Sequence, residues 1–106
     1  MIHSTCLVQA GQISGETEAA LRNQLAEFAQ RAFAAPAQIN WIVVPVGSGF
    51  TAGKPSTSSV VSMRSTAPLE QTTREALLRE LSDVWMAETN CSHDELVAVI
   101  SDPAID

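Results

Sequence analysis

The sequence predicts an α+β fold of two fused βαβ units, a four-stranded sheet with two helices on one face. Three observations predict it. Four short runs of apolar or β-branched residues alternate with two longer segments of helical period, in the order βαββαβ. The two halves, residues 1–46 and 58–106, are similar in length and are joined by a loop over 47–57. The second and fourth runs are apolar at nearly every position, as strands covered on both faces are. At 106 residues the chain is predicted to be one domain.

Each element has a local reason. The first strand is "IHSTCLVQ", Ile2 to Gln9, rich in β-branched and small residues and too short for a helix. Ser14 then offers an N-cap, and Leu21, Leu25, Phe28, Ala32 and Phe33 recur at helical spacing until Pro36. The second strand is "INWIVVPV", 39–46, with Ile39, Trp41 and Val43 on one face and Ile42, Val44 and Val46 on the other. Pro45 cannot donate to a ladder and belongs at this strand's end. "SSVVSMRS", 58–65, reads as a third strand. Thr66 and Pro68 open a second helix with Leu77, Leu81, Val84 and Trp85 as its stripe, running to about Asn90. "ELVAVIS", 95–101, is the last strand, again apolar on both faces. Two helices cover only one face of such a sheet, so the other is expected to be buried between copies of the chain.

Charge and composition exclude several classes. A net charge of −6, from six basic and twelve acidic residues, argues against nucleic acid as a partner. No stretch approaches the ~18 apolar residues of a membrane span, and no signal peptide opens the chain, so a cytoplasmic protein is expected. Cys6 and Cys91 lack metal or redox spacing and suit free thiols in a reducing compartment. Arg22, Arg31, Arg74 and Arg79 each follow a glutamate by four positions, the spacing of surface ion pairs on a helix. Lys54 and Arg64 lie outside the helices without such a partner, which makes them the candidates for binding an anion.

The loop "GSGFTAGKPS" superficially resembles a phosphate loop. Its Gly47 and Gly53 are one residue too far apart, Pro55 stands where the hydroxyl should be, and a strand rather than a helix follows. A nucleotide site is therefore excluded, and no cofactor is called for. Cys91 and His93 have no third ligand in reach by sequence, and Asp94 and Glu95 read as loop and strand-start charges.

The order βαββαβ, the tryptophan-bearing strand that runs through "VPVGSGFTAGKP" into "SSVVSMRS", and the segment "FTAGKP" (Phe50 to Pro55) resemble the tautomerase superfamily, the group of oxalocrotonate tautomerase, macrophage migration inhibitory factor and the haloacrylic acid dehalogenases. The resemblance covers nearly the whole chain. It implies a homotrimer with sheets inside and helices outside. It also implies proton transfer next to the carbonyl of a small carboxylate, by an N-terminal proline amine with arginines holding the carboxylate. Ile2 stands where that proline is expected, leaving the primary amine of Met1 as the corresponding base. Arg64 resembles the first arginine of an R-x-G-R segment, and its second arginine is replaced by the run Ser65, Thr66, Ala67. The expected site is therefore Met1 as the catalytic amine, with Ile2, His3, Phe50, Lys54 and Arg64 around a small carboxylate. Two alternatives stand beside it: a non-catalytic anion-binding or structural oligomer of the same fold, and a ferredoxin-like dimeric ligand-binding protein.

Overall fold

The computed structural model describes residues 1–103; the end of the expected second half, 104–106, lies outside the described residues. Strand β1 (Ile2–Gln9) leads through helix α1 (Gly15–Phe33) to β2 (Ala37–Val44). Two short strands, β3 (Phe50–Thr51) and β4 (Lys54–Pro55), interrupt the loop before β5 (Ser59–Arg64), α2 (Gln71–Thr89), a 3-10 turn (His93–Glu95) and β6 (Leu96–Ser101). The large sheet has the order β2-β1-β5-β6. Pairing is parallel within each half, β1 with β2 and β5 with β6, and antiparallel where the halves meet at β1 and β5. Parallel pairs at both ends overturn the ferredoxin-like alternative, whose sheet is antiparallel.

Alternation along β1 decides which face the helices cover. Ile2, Ser4, Cys6 and Val8 are buried, as are Ser59, Val61 and Met63 beside them on β5. From α1 the residues Leu21, Leu25, Phe28 and Ala29 close over this face, and from α2 Leu81 and Trp85 do the same. Each large side chain so buried contributes roughly 1.5–3 kcal/mol. Trp85 stacks on Trp41 of β2, ring centroids 5.9 Å apart, so one aromatic contact ties α2 to the opposite half. Burial pushes the Cys6 thiol up to about 11, against a partial opposing effect of its hydrogen bond with Ser4.

Helix α1 starts as expected: the Ser14 hydroxyl accepts the Thr17 N–H at 3.2 Å. Its C-cap is Ala34 in the left-handed region, φ 52°. Helix α2 begins later than Thr66, at Gln71, because residues 65–70 form a separate turn in which the Ser65 hydroxyl bonds Ala67. The ion pairs also differ from expectation. Glu18 and Arg22 pair along α1 at 3.0 Å, but Arg31 reaches across to Glu80 on α2 and Arg74 to Asp102. Tertiary partners win because they fix helix position as well as neutralise charge.

Candidate functional site

The open face of the sheet carries the odd-numbered residues of β1 and the even-numbered residues of β2 and β5. Parallel register sets His3 beside Gln38, Thr5 beside Asn40 and Leu7 beside Ile42. On the other side Thr5 faces Ser62 and Leu7 faces Val60, and one further step of that antiparallel register brings Arg64 beside His3. Residues Val97 and Val99 continue the face on β6 and are 49% and 42% exposed; Ile42 on β2 is 37% exposed. The expected uncovered apolar face is therefore present.

The structure gathers some of the expected site residues and separates others. Met1, His3 and Arg64 share one end of the sheet and are all exposed. The Ile2 N–H donates to the Pro36 carbonyl at 2.8 Å, which anchors the start of β1 beside β2. Its side chain is fully buried in the core, so Ile2 contributes backbone position and no contact surface. Phe50 and Lys54 lie at the other end, since their loop joins the end of β2 to the start of β5. Arg64 ends β5, which at ~3.3 Å per residue is roughly 17 Å long, whereas Lys54 lies on β4 before that strand begins. Within one chain the expected Lys54 and Arg64 belong to opposite ends of the sheet. Neither residue makes an ion pair among the described residues, where Arg22, Arg31 and Arg74 are all engaged.

Sequence reasoning missed the shape of the loop. β3 and β4 form a two-residue hairpin, Thr51 opposite Lys54, turning on Ala52 (φ 53°) and Gly53 (φ 76°). Two positive φ angles in succession define the primed turn that matches strand twist. Two glutamines hold this hairpin over the sheet. Gln9 donates to the Ser56 carbonyl, and its carbonyl oxygen accepts the Gly47 N–H at 3.4 Å. Gln12 donates to the Thr57 carbonyl at 2.6 Å and accepts from the Ser59 hydroxyl at 3.1 Å. Beneath the hairpin lies a pocket of about 230 Å³, walled by Leu7, Val44, Phe50, Val60 and Val97. Two glutamines three apart at the end of β1 and a glycine-rich loop after β2 were the signal available for this clamp.

At the Met1 end a second pocket of about 270 Å³ lies between β1 and β2, lined by His3, Ser4, Thr5, Gln38, Ile39 and Asn40. Chemically this end offers a guanidinium and an imidazole beside Met1; the hairpin end offers apolar walls and one ammonium.

Solved structures resemble the chain over nearly its whole length. Native Ps01740 is 26% identical, the match covering 98% of this chain and 99% of that one, with a TM-score of 0.87. The Q0 fused 4-OT, a wild-type symmetric trimer, is 15% identical over 95% of this chain and 85% of its own, with a TM-score of 0.83. N1, a member of the cis-3-chloroacrylic acid dehalogenase family, is 17% identical over 95% and 74%, with a TM-score of 0.82. The last two identities speak for the fold alone. No family model and no curated protein sequence matches the chain.

Proposed function

The fold is that of the tautomerase superfamily, and from it we propose that this chain is a tautomerase-like isomerase, moving a proton next to the carbonyl of a small carboxylate substrate. The observation that carries the proposal is the meeting of Met1, His3 and Arg64 at one end of the open face, with Arg64 free of any ion pair among the described residues. The Arg64 guanidinium holds the carboxylate through two parallel hydrogen bonds. The free amine of Met1 takes the proton of the enol hydroxyl. As the C–O bond becomes a carbonyl, the electron pair of the C=C bond takes a proton from the resulting ammonium at carbon. The amine returns to its neutral form, so protons balance over one turnover.

The active form we propose is a homotrimer joined through the open faces, in which the exposed Ile42, Val97 and Val99 are buried. The trimeric state of a fused 4-OT of the same fold supports this. Because one chain keeps Lys54 and Arg64 a strand length apart, a site that uses both draws on two chains, the hairpin of one closing over the Met1 end of the next. Free thiols at Cys6 and Cys91 suit the cytoplasm. Among the described residues no helix is long and apolar enough to cross a membrane.

A non-catalytic anion-binding oligomer of the same fold is the second reading, favoured by the burial of Ile2 where a proline amine is expected. Ketonisation of phenylenolpyruvate, followed by ultraviolet absorbance, separates the two. The isomerase reading expects turnover that falls ~100-fold or more on acetylation of the terminal amine, after mass spectrometry has confirmed Met1 as the terminus. No turnover by a protein that still binds pyruvate establishes the second reading.

A further inference from the structure

The open face is divided across its middle. On the hairpin side of the divide the row Ile42, Leu7, Val60, Val97 is apolar on all four strands. On the Met1 side the rows are polar on β2, β1 and β5: Gln38, His3 and Arg64 in one, continued by Ser101 on β6, and Asn40, Thr5 and Ser62 in the next, which ends on the apolar Val99 of β6. Association needs the apolar half. The polar half has no such use, and burying it dry would cost the hydrogen bonds its amides make to water.

Polar side chains elsewhere near this face are committed. Gln9, Gln12, Ser48 and Ser58 each bond loop or turn backbone. By contrast the side chains of His3, Thr5, Gln38 and Asn40 make no hydrogen bond to any described residue, and together they line the 270 Å³ pocket. A hydroxyl group is donor and acceptor at once, and so is each carboxamide, so Gln38 and Asn40 match a ligand with hydroxyls along its length. One guanidinium, Arg64, stands at the end of this strip. From Gln38 across His3 to Arg64 is two strand spacings, roughly 10 Å, about the length of a six-carbon acid.

We propose that the polar half of the open face binds a hydroxylated monocarboxylate, a small polyhydroxy or sugar acid, with its carboxylate on Arg64 and its hydroxyls on His3, Thr5, Gln38 and Asn40. This rests on the reading of the Met1 end as a carboxylate site and names the substrate class that end selects. An apolar acid of equal length fits it poorly, because its methylenes leave both amides without partners.

The test is calorimetric titration of the full chain with gluconate and, separately, hexanoate, with assembly state checked by sedimentation. Gluconate is expected to bind at least ~10-fold tighter, a margin that one to two neutral hydrogen bonds supply. The double variant Gln38→Leu/Asn40→Leu is expected to lose that preference while retaining hexanoate binding, and Arg64→Ala to weaken both acids. Equal affinity for the two acids, still dependent on Arg64, overturns the hydroxylated-ligand proposal and leaves the carboxylate site standing. Binding of neither acid overturns both.

Discussion

The Arg74 guanidinium meets the Asp102 carboxylate at 2.8 Å, and the same carboxylate oxygen accepts the Leu69 N–H at 3.0 Å. Arg74 also donates to the carbonyls of Ile100, at 2.7 Å, and Leu69, at 3.2 Å. One side chain thus ties the entry of α2 to the end of β6, the edge strand that carries Val97 and Val99. The pair replaces a side-chain cap at the helix start, which Glu70 does not provide.

These bonds set an acid dependence. The Leu69 N–H first, and Arg74 with it, hold the Asp102 carboxyl below its ordinary value of 3.8. A depressed native pKa stabilises the fold above the unfolded value and ceases to do so as pH falls through the native value. Asp102→Asn is therefore expected to lower the melting temperature at pH 7, by an amount that shrinks below about pH 4 and vanishes in stronger acid. Thermal unfolding of both proteins across pH 2–8 checks it, and a constant difference contradicts the latch.

Two alanines sit in the left-handed region, Ala34 after α1 and Ala52 in the hairpin turn. A side chain there costs roughly 1–2 kcal/mol that glycine avoids, part of it returned through the looser unfolded chain. Ala34→Gly and Ala52→Gly are each expected to stabilise by up to ~1 kcal/mol in urea unfolding. Ala52→Gly should also leave ligand binding unchanged, since the turn is already formed.

The thiols should differ in reactivity. Cys6 is fully buried and burial pushes its thiol up to about 11, whereas Cys91 is half-buried. A disulfide-exchange reagent at pH 8 is expected to modify Cys91 in the native protein and Cys6 only after unfolding. Equal rates at both would show that the core opens easily.

Leu7→Asp puts a charge in the middle of the apolar half of the open face, beside Ile42 and Val60. Its neighbours are not helix-facing, so the fold should survive while assembly weakens by at least ~100-fold, measured by sedimentation equilibrium. A monomeric parent, or an unaffected variant, would mean that this face is not the interface.

Much of the fold was legible because it rests on period. The short continuous apolar runs in "INWIVVPV" and "ELVAVIS", and the helical spacing of Leu21, Leu25 and Phe28, mark strands and helix without reference to partners, although the second strand runs Ala37–Val44 rather than 39–46. The hairpin was not legible: Ala52 is an unusual first residue for a primed turn, which glycine or asparagine normally occupies. The cross-helix pair of Arg31 with Glu80 was hidden for another reason, since Glu27 offers an equally good partner by spacing and only the packing of α1 on α2 decides between them. The site was half legible. Charge bookkeeping singled out Lys54 and Arg64 as candidates, but placing them at opposite ends of the sheet needed the topology, and the proposed amides Gln38 and Asn40 carry no sequence signal at all.

The central claim is a carboxylate site at the Met1 end of the open face, completed by the hairpin of a neighbouring chain. Subunit mixing with calorimetry tests it most directly. Pyruvate is titrated into the parent, into Arg64→Ala, into Lys54→Ala, and into the two variants unfolded and reassembled together. The parent is expected to bind, each variant alone to lose binding, and the mixture to recover about a quarter of the sites, those in which an intact Arg64 meets an intact Lys54 from the next chain. A parent that does not bind, or a mixture that recovers nothing while the parent binds, contradicts the account.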